Sequence, residues 1–352
     1  MLLSKFPYLV QKEILENMEY FDLFLLSFLS KNMVKLIKSS QATRFKCIPR
    51  IGFEMQKEHP TIYVSSESTK EVIMISSNIS ENLRNDNFQL NVSGKMINFE
   101  FVTCGFPMLA FNQCDKEVVF TSIHNCLLDL FGNTIEYEWT ITDCKLVVPR
   151  VPNASLILTF WTTGIDEENM ERFENAIPSS TIIKHFETIH WRPAATLKPE
   201  SKFYQSESIE IRQDSLTVPV KLGYFQGRQA SFRCNRGRIS DLIEFVDRWK
   251  SGEGFQNLEH LEIIMIHTDF PLNGVLNAIG VKYIDATKTP PTHTLPKVYV
   301  GCSYKKNTDP ITSRTYVVRE TDNRVASISI EGGTLSFGVW NETEEEFLAM
   351  VD

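Results

Sequence analysis

Apolar positions follow a helical rhythm at the start of the chain, a strand rhythm through its middle, and a mixture of the two beyond. Leu9 or Val10, Ile14 and Met18 recur at three- and four-residue steps behind Pro7. Proline's fixed φ and missing N–H suit a helix start, so the first helix begins there. Asp22 is placed to cap a second short helix from Leu23, and Ser30 or Asn32 a third that runs toward Ile37. Then Thr61–Val64, Val72–Ile75, Phe88–Val92 and Met96–Phe101 read as strands, with a hairpin turn at Ser93-Gly94-Lys95. Between Asp115 and Phe131 the helical period returns through Val118 or Val119, Ile123, Leu127 and Leu130, and Gly132 stands where a left-handed cap belongs. Ile135, Tyr137, Trp139 and Ile141 alternate as a further strand.

From Pro152 strand and helix patterns alternate. Leu156–Trp161 is strand-like, Met170, Phe173 and Ile177 mark a helix after Asp166, and Ile182–Ile183 and Val218–Leu222 are short strands. Ser240 caps a helix whose stripe is Leu242, Phe245, Val246 and Trp249 and which Gly252 ends. Leu258, Leu261 and Ile263 have the spacing of a leucine-rich-repeat strand, although no constant period runs through the chain. Irregular repeat-like stacking and an ordinary two-layer α/β domain both fit. Lys282–Arg314 reads as a loop interrupted by one short strand at Val298–Val300. Tyr316–Arg319, Arg324–Ile330 and Thr334–Trp340, separated by turn residues, predict an antiparallel meander. Thr343 and Glu346 have capping-box spacing for a last helix, Glu344–Met350. The fold class is mixed α+β and α/β: a three-helix module at 1–44, a strand-rich region with a covering helix at 45–150, and a domain of alternating strands and helices at 151–352 that ends in the meander and the last helix.

The first forty residues carry more apolar surface than they can hide among themselves. Phe6, Leu9, Ile14, Leu15, Phe21, Leu23, Leu25, Leu26, Phe28, Leu29, Val34 and Leu36 crowd three short helices. The surplus suits a partner. The order Phe6-Pro7, Glu13-Ile14-Leu15, Asp22-Leu23, Ser30-Lys31 and Leu36-Ile37 resembles the F-box. That resemblance implies docking onto the Skp adaptor of a cullin-RING ubiquitin ligase, through Phe6, Pro7, Leu9, Val10, Ile14, Leu15, Phe21, Asp22, Leu23 and Leu26. It also implies that the rest of the chain selects a protein for ubiquitination. Phe203-Tyr204-Gln205-Ser206-Glu207-Ser208-Ile209-Glu210-Ile211, Phe225-Gln226-Gly227-Arg228-Gln229-Ala230, and the Trp249 helix followed by Asn257-Leu258-Glu259-His260-Leu261-Glu262-Ile263 are similar to the F-box-associated type 2 domain, expanded in nematodes. A protein-binding scaffold outside any ligase is the rival expectation.

Composition narrows the function classes. The 352 residues are 42% hydrophobic and 23% charged, enough for cores without disulfides. Seven cysteines in no paired framework read as reduced thiols of the cytoplasm or nucleus. No secretory signal pattern appears, because Pro7, Gln11, Lys12 and Glu13 break the early apolar run, and no run is long enough for a membrane span. The net charge of −8 opposes general nucleic-acid binding. A local reversal gathers Arg228, Arg233, Arg236, Arg238, Arg248 and Lys250, either a solvated face or a patch for an acidic substrate protein, with Arg233, Arg236 and Arg238 as candidates.

No nucleophile elbow, phosphate loop, dinucleotide fingerprint or zincin motif occurs, and the histidines lack metal spacing. On a strand, the odd separation of His185 and His190 puts them on opposite faces. Neither Cys234 nor Cys302 has an identifiable base. The sequence therefore predicts no catalysis and no cofactor. Trp161, Trp191, Trp249 and Trp340 fit either core stripes or interface anchors.

Overall fold

A computed structural model describes residues 5–55, 60–65, 70–78, 87–92, 94–101, 107–111, 116–146, 148, 150–160, 167–190, 197–213, 223–235, 238–266, 272–300 and 305–351. The chain divides into two compact units, Met1–Ile157 with Asn175–Thr181, and Leu158–Glu174 with Ile182–Asp352. Among the described residues no helix is long and apolar enough to cross a membrane.

The first unit opens with helices α1 (Tyr8–Glu16), α2 (Tyr20–Ser27), α3 (Lys31–Ser40) and α4 (Ala42–Lys46). Strands β1 (Arg50–Met55), β2 (Thr61–Ser65), β3 (Lys70–Asn78), β4 (Asn87–Val92), β5 (Lys95–Phe101), β6 (Pro107–Phe111) and β7 (Glu136–Ile141) follow, and helix α5 (Lys116–Phe131) joins the last two. Their order is β7-β1-β2-β3-β6-β5-β4, with β1–β7 and β3–β6 parallel and the other pairs antiparallel. The four anticipated middle strands and α5 stand where the patterns put them. β1 and β6 escaped sequence reading. β1 is buried at Ile51, Gly52 and Phe53 in succession, so the alternation that marks a half-exposed strand is missing. Phe53 stacks on Trp139 at 4.3 Å, and the Tyr137 hydroxyl donates to the Gly132 carbonyl at 2.8 Å, locking the end of α5 to β7. Gly52 faces Tyr63 across β1–β2, and a Cβ there would meet the ring at 2.2 Å, so only glycine admits the tyrosine.

Strand β8 (Ala154–Phe160) holds the point where the two units divide, and helix α6 (Glu167–Ala176) follows it. In the second unit β9 (Ile183–His190), β10 (Ser208–Gln213), β11 (Gln229–Cys234) and β12 (His260–Met265) lie side by side in chain order, all parallel. The expectation at Ile182–Ile183 becomes an eight-residue strand, while Val218–Leu222 lies outside the described residues. The meander β16 (Thr315–Val318), β17 (Arg324–Glu331) and β18 (Thr334–Thr343), with the short β13 (Lys282–Tyr283) paired to β16, completes this sheet through an antiparallel β12–β18 pair. Thr343 and Glu346 form the capping box of the last helix, Glu344–Ala349.

One face of this sheet is apolar. Leu261 is in register with Phe337, whose ring meets Phe245 and Trp249 of the helix Ile239–Ser251 at 5.1 Å. Trp249 is thus a core residue, fully buried; Trp340 is half-buried and donates from its indole to Ser327 at 2.9 Å. Gly252, at φ 76°, ends that helix as expected.

The opposite face carries the cross-strand row His185, Ser208, Gln229, His260 and Gly338. A strap made of 292–300 and of β15 (Ile311–Thr312), which pairs with β14 (Thr292–His293), lies against it. Tyr299 stacks on His185 at 4.4 Å, and His293 Nε2 is 3.0 Å from the Val339 carbonyl oxygen. The strand expected at Val298–Val300 does not form. Instead the Gln229 carboxamide donates to the Pro296 carbonyl at 2.8 Å and accepts from the Val298 N–H at 3.0 Å, replacing a ladder with side-chain bonds.

Candidate functional site

The N-terminal helices are built around a small core. Leu15, Leu23, Phe24 and Ile37 are fully buried, and Ser30 caps α3 by accepting from the Met33 N–H at 3.1 Å. Pro7 precedes the first helical residue, and its carbonyl accepts from the Val10 and Gln11 N–H groups. Asp22 is not the cap of α2. The helix begins at Tyr20, so Asp22 lies in the first turn, and the Tyr20 N–H donates to the Glu71 carboxylate of β3. Ser240 likewise is not a cap: Arg238 holds the cap position and the serine lies inside the helix.

Arg44 of α4 ties the helices together. Its guanidinium donates to the Met18 carbonyl at 2.6 Å and lies 4.1 Å over the Tyr20 ring. Phe45 and Tyr20 both pack on Phe131 of α5, and Lys38 pairs with Asp129 at 3.3 Å. The helices therefore share a core with α5 and β3.

Against this scaffold the predicted docking residues separate into three groups. Leu9 is 76% exposed, and Pro7 and Val10 are also exposed. Phe6, Ile14, Phe21, Asp22 and Leu26 are half-buried, while Leu15 and Leu23 face inward with no exposed surface. Two exposed large hydrophobic residues among those described in these helices were not expected contacts: Tyr8, and Leu29 at 64% exposure. Leu29 lies two residues past the end of α2, just before the Ser30 cap, where a solvent-facing leucine serves no packing purpose of the helix.

The basic cluster of the second unit is largely occupied. Arg228 pairs with Glu259 at 2.8 Å, Arg248 lies 5.5 Å over Phe255, and Lys250 donates to the Ile279 carbonyl at 3.0 Å. Arg233 and Arg238 are exposed; Arg236 lies outside the described residues.

The described residues bring one Ser–His pair together, His185 Nδ1 and Ser208 Oγ at 2.7 Å. Ser208 donates to the Lys184 carbonyl, both side chains are buried, and Tyr299 covers the imidazole. Burial pushes His185 down to about 3. The pair holds β9 to β10. Cys234 is buried and its thiol is pushed up to about 11 by desolvation, then by Asp241. Among the described residues no three His, Cys, Asp or Glu side chains are gathered for a metal.

No curated protein and no solved structure matches the chain. The family model for the F-box domain matches residues 3–45, and the helices α1 to α4 that share the Leu15, Leu23 and Phe45 core are accordingly the F-box domain of this protein.

Proposed function

We propose that the protein is a substrate-selecting adaptor of a cullin-RING ubiquitin ligase. Its F-box binds the Skp adaptor, and the second unit holds the protein to be ubiquitinated. The observation that carries this reading is the exposure of Tyr8, Leu9, Val10 and Leu29 inside the F-box match, apolar surface that the module's own core leaves in water. Its contribution to chemistry is tethering, which raises the local concentration of substrate lysines near the ubiquitin-loaded enzyme. The F-box-associated type 2 resemblance of the Phe203–Ile211, Phe225–Ala230 and Asn257–Ile263 segments supports assigning recognition to the second unit. The consecutive parallel strands β9 to β12 support reading those segments as irregular repeat-like units.

Full-length protein titrated with purified Skp adaptor tests the reading directly. Leu9→Asp with Leu29→Asp should abolish capture while leaving the thermal melt unchanged. Equal capture of the double variant removes the F-box surface from the proposal and favours a scaffold outside any ligase.

A further inference from the structure

Three successive strands of the second unit are entered through one side-chain pattern. Gln205, Gln226 and Asn257 each stand three residues before β10, β11 and β12, and Glu207, Arg228 and Glu259 each stand one residue before them. The strands are in register, Ser208 with Gln229 with His260. Parallel neighbours lie about 4.8 Å apart, so these entries stand side by side along one end of the sheet, where the Asn257 amide donates to the Gln226 carbonyl at 3.0 Å. They border an open cleft of about 380 Å³, whose far side is lined by Arg324 of β17 and by Val339 and Asn341 of β18. That volume falls in the range of ligand sites, about 300–1,000 Å³.

The ledge is preformed. The Gln226 N–H donates to the Tyr204 carbonyl, Arg228 N–H to Glu207 and Glu259 N–H to Arg228, each at 2.8 Å. A Cβ on Gly227 would meet the Ser206 carbonyl oxygen at 2.0 Å, so glycine is what lets the strand entries close up. The side chains of Gln205, Gln226 and Asn341 are exposed and make no hydrogen bond among the described residues. Each brings two donors and an acceptor. The charged residues of the lining, two acidic and two basic, cancel, and no aromatic ring is present to stack a nucleobase. A carboxamide complements a peptide group, which needs one donor and one acceptor. Gln229, the first residue of β11, already reads main chain within the molecule, bridging the carbonyl of one peptide group and the N–H of the next on either side of Lys297.

We infer that this ledge binds an extended, polar but uncharged stretch of a partner protein and reads it through its main chain. The inference rests on the second unit being the substrate-selecting part of the proposed adaptor. The balanced charges of the lining offer no net attraction to a charged peptide, and hydrogen bonding to successive peptide groups carries the selection.

The test uses full-length protein to select binders from a displayed random-peptide library, followed by affinity titration of a recovered peptide. Gln205→Ala, Gln226→Ala and Asn341→Ala together should weaken it at least about ten-fold, the equivalent of roughly one well-made hydrogen bond. N-methylation of its central amides should weaken it comparably. Gln226→Trp, which fills the cleft, supplies a second variant, and an unchanged melt confirms folding of each. Equal affinity for wild type and triple variant, tolerance of main-chain methylation, or a library that yields no binder overturns the inference. Skp capture measured on the same preparations separates the two readings: carboxamide-dependent peptide binding without Skp capture sinks the ligase role alone, and the reverse sinks the ledge alone.

Discussion

The Tyr20 backbone N–H, the first of α2, is capped by the carboxylate of Glu71, a residue of β3 that lies 51 positions along the chain. A helix start inside the F-box is thus completed by the sheet that follows it. Burial raises the Glu71 pKa above the usual carboxylate range, outweighing the stabilising bond from Tyr20. A raised carboxylate favours the fold at low pH and loses that contribution as pH rises through its folded value. Glu71→Ala should cost about 1 kcal/mol, as for other lost caps. Glu71→Gln should retain most of it, since the amide accepts without carrying a charge. Hydrogen exchange at the start of α2 reads both, and equal protection in the alanine variant would show the cap to be idle.

Leu9 and Leu15 sit on one helix yet should fail differently. Leu9→Ala removes exposed surface, leaves the melt in place and weakens Skp capture. Leu15→Ala empties a fully buried position and should cost about 2–5 kcal/mol of stability. Stability of the Leu15 variant matching wild type would contradict the core described for α1 to α4.

Acid should loosen the strap face of the second unit. Burial pushes His185 down to about 3, and burial followed by the neighbouring His293 pushes His260 down to about 4. His293 is lowered as well, chiefly by desolvation. Unfolded histidines take up protons near pH 6.5, about where the folded ones refuse them. Stability is therefore fully present above that pH and falls as pH drops toward the folded values. Thermal melts from pH 7.5 to 4.5 should shift downward below about 6.5. His185→Gln with His260→Gln should flatten that slope; a slope unaltered by the pair assigns it to other groups.

Gln229 anchors the strap with both ends of its carboxamide. Gln229→Ala strands a carbonyl and an N–H at a partly buried site, at about 1–3 kcal/mol per unsatisfied group. Limited proteolysis should then cut between Pro290 and Val300 faster than in wild type, with Skp capture intact. Identical cleavage rates would mean that the Tyr299 stack and His293 hold the strap without it.

Reversing Arg233, Arg236 and Arg238 to Glu tests electrostatic steering by the second unit. If the cluster steers an acidic substrate, association slows and its salt dependence shrinks, while Skp capture stays the same. An unchanged on-rate with a captured substrate makes Arg233 and Arg238 a solvated face, consistent with the way Arg228, Arg248 and Lys250 are already engaged.

Elements whose physics is local could be read along the chain. Ser30 caps α3, Thr343 and Glu346 form their box, Gly132 and Gly252 turn left-handed, and the meander follows its turn residues, because each depends on groups only a few positions apart. The F-box was legible for the same reason: its helices are short, and its motif residues are close in sequence. Tertiary structure decided what needed partners from afar. Asp22 and Ser240 have capping chemistry, but the distant Glu71 serves α2, and the helix Ile239–Ser251 starts one residue before its serine. Val298–Val300 has strand propensity, yet Gln229 claims its backbone. β1 hides from a period-two search because both its faces are buried. Which F-box leucines face water, and that three strand entries bring their carboxamides to one cleft, depend on packing and register, and neither is written in any single stretch of chain.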